Sequence, residues 1–60
     1  MNLGAKLFQL RKKAGYSQET LAEKVGVSRQ TVSKWELNEV QPEMIKGKLL
    51  AELYGVTYDS

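Results

Sequence analysis

Cysteine and histidine are both absent from this 60-residue chain. Without cysteine there is no disulfide and no thiolate metal site to reinforce a core, and a reducing compartment is permitted. Without histidine, the commonest metal ligand and the usual near-neutral general base are missing, which sets hydrolytic and metal chemistry aside. The carboxylates are scattered and no nucleophile has a histidine beside it, so no enzyme and no cofactor are expected. No apolar run approaches the roughly 18 residues of a membrane span, and no signal-peptide pattern precedes the first helical stretch. The expectation is a soluble cytoplasmic chain with no membrane partner. There is one proline, Pro42, and no candidate strand of any length. A chain this short is one small domain that buries only about 60% of the surface it exposes when unfolded, so its stability should be modest.

What is present is helical periodicity. Leu3, Leu7, Leu10 and Ala14 recur at spacings of four and three, which predicts a first helix buried along that stripe. Asn2 suits its N-cap and Gly15 its left-handed stop, with Lys12 and Lys13 in a last turn that favours positive charge. Phe8 lies about 100° from Leu7, at the border of the stripe, and is expected to cover the core edge rather than to serve in binding. Ser17 caps a second helix from Gln18 to about Lys24, with Leu21, Ala22 and Val25 turned inward. Gly26 supplies a turn residue for which positive φ costs nothing. Ser28 caps a third helix from Arg29 to about Leu37. After the loop Asn38–Gln41, Pro42 suits the first turn of a fourth helix, which runs to about Tyr54 and stops at Gly55. Val56 and Tyr58 are placed in a short fifth turn.

The segment from Gln18 to Trp35 carries the functional signal. On a wheel of about 100° per residue, Ser28, Val32 and Trp35 fall together and are expected to face the core. Arg29, Gln30, Ser33, Lys34 and Leu37 fall opposite. Four of these five are polar, and they hold the groups that read base edges: Arg for guanine, Gln for adenine, Lys for guanine oxygens or phosphate. A plain solvated face more often carries Glu and Lys paired four apart. Ala22 is small where the second and third helices must cross closely, and Gly26 sits where the chain turns between them. That combination is the pattern of a helix-turn-helix, whose second helix enters the major groove. Net charge is +2. Arg11, Lys12, Lys13, Lys24, Arg29 and Lys34 lie early and Glu36, Glu39, Glu43, Glu52 and Asp59 late, although ordinary solvated helix faces would look the same.

From Leu3 to about Val56 the chain resembles the Cro and phage-repressor type of helix-turn-helix regulator, also called the xenobiotic-response-element type. The matching residues are Leu10-Arg11, Tyr16-Ser17-Gln18, Leu21-Ala22, Val25-Gly26-Val27-Ser28, Gln30-Thr31-Val32-Ser33, Trp35-Glu36, Pro42, Leu50-Ala51 and Gly55-Val56. The resemblance implies an all-α, lambda-repressor-like bundle of four to five short helices that binds double-stranded operator DNA, usually as a homodimer. It places Arg29, Gln30, Ser33 and Lys34 on base-facing positions. Gln18 falls on a position that holds the phosphate backbone and often supports the glutamine at the start of the reading helix. Ser28 and Thr31 border this surface as phosphate contacts, and Thr31 would serve equally as filling at the core edge. Arg11 and Glu36 match a pair that forms an ion pair inside the fold, which assigns Arg11 a structural role ahead of direct DNA contact.

Three features depart from the pattern. Gly47 stands where the family usually has a large apolar residue, so either a neighbour such as Tyr16 or Trp35 fills the space or the fourth helix is shifted. Ile45 and Leu49 are apolar on a face that is normally polar, either as a subunit contact or as single exposed residues. The loop Asn38–Gln41 holds Glu39 and no basic residue for phosphate. The resulting expectation is a transcription regulator, most simply a repressor, with no small-molecule ligand in this domain. An antitoxin-type module that binds DNA and a protein partner is the alternative. RNA reading is disfavoured because an exposed aromatic platform is missing. The family's fifth helix usually continues beyond the equivalent of Ser60, which leads to the expectation that this is the N-terminal part of a longer regulator.

Overall fold

The computed structural model describes residues 2–55. Four helices follow one another: α1 (Leu3–Ala14), α2 (Gln18–Val25), α3 (Arg29–Glu36) and α4 (Met44–Tyr54). No strand occurs among the described residues, and no helix there is long and apolar enough to cross a membrane. The fifth turn expected at Val56 and Tyr58 lies outside the described residues.

Local signals set most helix ends. Asn2 accepts the Ala5 N–H at 2.7 Å, Ser17 the Thr20 N–H at 3.0 Å, and Ser28 the Thr31 N–H at 3.1 Å. Each cap supplies an acceptor to a first-turn donor that has no partner within its own helix. Gly26 closes α2 with φ 76°, and the Val27 N–H returns to the Ala22 carbonyl at 2.9 Å. This left-handed residue turns the chain from α2 into α3. Lys46 of α4 strengthens the same corner, donating from Nζ to the Val25 carbonyl at 2.8 Å. A cation at the C-terminal end of α2 also suits the helix dipole.

The core is Leu7, Leu21, Ala22, Val25, Val32, Trp35 and Leu50, with Tyr16, Val27, Leu53 and Tyr54 packed against it. Helix α3 lies against both α1 and α2, and α4 closes the bundle on α2. Val32 is fully buried and Trp35 nearly so. The side of α3 opposite these two anchors is therefore the side that faces solvent.

Four expectations need correction. The buried face of α1 is Gly4, Leu7 and Arg11, whereas Leu3 and Ala14 are exposed and Leu10 is half-buried. The stripe is rotated because Gly4 lets α1 approach the end of α3. A Cβ on Gly4 would lie 2.6 Å from the Glu36 carbonyl oxygen and 2.8 Å from both the Trp35 carbonyl oxygen and Asn38 Nδ2. Phe8 is exposed, with the Arg11 guanidinium 5.3 Å from its ring centre. Ser28 is exposed as a cap and does not face the core. Pro42 stands before α4, whose N-cap is Glu43 and whose first residue is Met44. Gly47 is buried beside Leu50 on the inner side of α4.

Candidate nucleic-acid interface

The proposed reading surface is built on α3, held from behind by Val32 and Trp35. Arg29, Gln30 and Lys34 are exposed, and Ser33 between them is half-buried. Exposed Leu37, 64% accessible, continues this side beyond the helix end. Three long polar side chains are thus exposed around a short one. That spacing lets a helix backbone come close to base edges while the long side chains bond to them.

Ser28 and Thr31 form a second group at the head of α3. Ser28 Oγ lies 2.9 Å from Thr31 Oγ1 while it accepts the Thr31 N–H. Ser28 is exposed and Thr31 half-buried, so both hydroxyls sit at the N-terminal edge of α3. Backbone N–H groups and the positive end of the helix dipole point the same way, an arrangement suited to a phosphate oxygen.

Gln18 opens α2 and is half-buried. Its Nε2 donates to Glu36 Oε1 at 3.0 Å, and its Oε1 accepts from Arg29 Nη1 at 3.3 Å. The glutamine thus supports Arg29, the first residue of α3, where the resemblance pointed to support of a glutamine. An open depression of about 570 Å³ lies beside it, with Lys12, Tyr16, Ser17, Gln18 and Arg29 on its walls. Lys12 and Arg29 make the walls basic, and Glu19 on the same rim opposes them.

Arg11 also borders this depression, but its guanidinium is buried and fully engaged. Its Nε donates to Glu36 Oε2 at 2.7 Å, Nη2 to Glu36 Oε1 at 3.2 Å, and Nη1 to the Tyr16 carbonyl at 2.9 Å. The side chains of Arg11 and Glu36 are 9% and 6% exposed. All three guanidinium nitrogens are bonded, so the charge is compensated where water cannot reach it. Arg11 therefore ties α1, the turn at Tyr16 and α3 together.

Tyr54 approaches the same ion pair from α4. Burial first of all, then the Glu36 charge, push its hydroxyl up to about 12, against the opposing effect of Arg11. The hydroxyl is buried and has no hydrogen-bond partner among the described residues. Its ring centre is 6.5 Å from that of Tyr16.

Several participants carry no signal in the linear sequence. Gly4 and Asn38 are the clearest. The Asn38 side chain accepts the Gly4 N–H at 3.0 Å, and Asn38 itself adopts a left-handed φ of 62°. The loop after α3 thus caps a second donor of α1 through the Asn38 side chain. The role of Lys46 was equally hidden, because its partner is a backbone carbonyl on another helix. Ile45 and Leu49 are 71% and 39% exposed, and Met44 beside them is also exposed.

A family model described as helix-turn-helix matches residues 7–60 of the chain. Over 59 residues the chain is 41% identical to the HTH-type transcriptional activator BcrR of Enterococcus faecalis, covering 98% of this chain and 29% of that protein. It is 36% identical over 59 residues to the HTH-type transcriptional regulator ImmR of Bacillus subtilis, covering 98% of this chain and 46% of that one. The chain thus spans less than half the length of these two relatives.

Proposed function

The chain belongs to the helix-turn-helix family of the Cro and phage-repressor type, and on that premise we propose that it is the operator-reading part of a transcription regulator. The observation that carries the reading is the outer side of α3. Exposed Arg29, Gln30 and Lys34 stand around half-buried Ser33 while Val32 and Trp35 hold the opposite side rigidly in the core. In this reading α3 lies in the major groove of double-stranded DNA. Arg29, Gln30, Ser33 and Lys34 meet base edges, and Gln18, Ser28 and Thr31 meet the phosphate backbone. The basic depression beside Gln18 gives a phosphate a seat at the positive end of α2.

Function here is binding, without catalysis. Relatives' names support regulation of transcription, and one of them is an activator, so the reading is of operator binding in either regulatory direction. With Arg11 committed to Glu36, few cations remain for phosphate, and one domain should bind weakly, with a salt slope limited to those few contacts. Two domains on a partly symmetric operator, with half-site centres about 34–36 Å apart, supply useful affinity.

The test is the double variant Gln30→Ala with Lys34→Ala, read by a gel-shift titration against specific and unrelated duplexes. Both residues are exposed, so the fold should survive, as circular dichroism will report. Specific binding should fall by roughly a hundredfold, the loss of two base contacts. Full retention of specificity would remove α3 as the reading element.

A further inference from the structure

Arg29 and Glu36 stand seven residues apart on one side of α3, separated by about 10 Å of helix rise, too far to pair directly. Gln18 reaches across from α2 and bonds both: its Nε2 to Glu36 Oε1 at 3.0 Å, its Oε1 to Arg29 Nη1 at 3.3 Å. Glu36 is in turn fixed by two bonds from Arg11, which is anchored to the Tyr16 carbonyl. A continuous chain of hydrogen bonds therefore runs from the interior to the head of α3.

The direction of each bond follows from donor and acceptor chemistry. An ionised carboxylate only accepts, so Glu36 requires the donor end of the Gln18 amide. The amide oxygen is then left facing Arg29, whose guanidinium only donates. Reversing the amide would set oxygen against carboxylate and NH2 against guanidinium. We propose that Glu36 is a positioning residue for base reading: through the Gln18 amide it holds the Arg29 guanidinium in one orientation and so sharpens that residue's choice of base. The inference rests on the reading of Arg29 as a base contact. A guanidinium held by one Nη before DNA arrives loses less freedom on binding, and its remaining donors point in a set direction.

Glu36→Gln breaks the directionality, because a glutamine at 36 can present either an oxygen or an NH2 to Gln18. Gln18→Met removes the bridge and leaves the Arg11–Glu36 ion pair in place, so it reports on the bridge even where Glu36→Gln weakens the fold. The probe is the duplex most enriched from a random pool by the parent chain, with each base pair varied singly. Arg29→Ala marks the base pair that Arg29 reads. At that base pair, Gln18→Met and Glu36→Gln should each lower discrimination roughly five- to tenfold, and the two together no further. Discrimination at the other base pairs should stay at the parent level, which a merely structural role of Glu36 would not produce. Parent-level discrimination at the marked base pair in Gln18→Met, or an equal loss at every position, overturns the proposal.

Heteronuclear NMR of the DNA-free protein separates the bond chain from the base contact. In Glu36→Gln the Gln18 side-chain amide and Arg29 Nε–H signals should move, and unmoved signals overturn the proposal by themselves. Moved signals with an Arg29→Ala variant that changes no base preference would instead show that the base contact has failed, taking the positioning role with it.

Discussion

Arg11 and Tyr54 both bury polar atoms, with opposite outcomes. Every guanidinium nitrogen of Arg11 has an acceptor, whereas the Tyr54 hydroxyl has no partner among the described residues. An unmet buried hydroxyl costs about 1–3 kcal/mol. Tyr54→Phe deletes that group and keeps the ring that packs beside Tyr16, so urea unfolding at neutral pH should show equal or higher stability. The pH dependence has a definite sign. The folded state holds the Tyr54 proton more tightly, with the pKa at about 12 against 10.0. The resulting stabilisation is fully present below pH 10 and is lost as pH rises toward 12. Tyr54→Phe should therefore lose less stability than the parent across that window, and parallel curves would show that the hydroxyl is solvated.

At the scale of elements, the approach of α1 to α3 depends on a missing side chain. Gly4→Ala gains about 1 kcal/mol of helix propensity. It also places a Cβ 2.6 Å from the Glu36 carbonyl oxygen, a backbone atom that cannot swing aside. Overpacking of this kind costs about 1–3 kcal/mol, so the clash should win and the thermal midpoint should fall. A higher midpoint would mean that α1 moves freely. The same contact explains what the sequence concealed. Caps at Asn2, Ser17 and Ser28 and the turn at Gly26 were legible because each acts on residues within the next turn. The leucine spacing of α1 misplaced its buried face because Gly4 and Arg11, the residues that approach α3, give no apolar signal. Lys46 and Asn38 were illegible for a related reason: they bond backbone groups on helices distant in sequence. The outer side of α3 was readable because one short helix has only one way to bury both Val32 and Trp35. The link from Gln18 to Arg29 and Glu36 needed α2 and α3 in place together.

For the whole molecule, the question is how two copies meet. Ile45 and Leu49 lie one turn apart on α4, and Ile45 is 71% exposed. If this side joins two subunits, Ile45→Lys should weaken self-association roughly tenfold or more by sedimentation, since a lysine cannot be buried there unpaired. Unchanged association would leave Ile45 and Leu49 as ordinary exposed residues. A domain bound singly has few cations for phosphate, Lys12, Arg29 and Lys34 among them, so its affinity should be low. The most direct trial of the central claim is selection of DNA by the intact chain from a random duplex pool at moderate salt, read by sequencing. Enrichment of a partly symmetric motif, with half-sites about one helical turn apart, is the outcome expected of α3 reading the major groove. A pool that remains random after repeated rounds, with the protein folded, would contradict it.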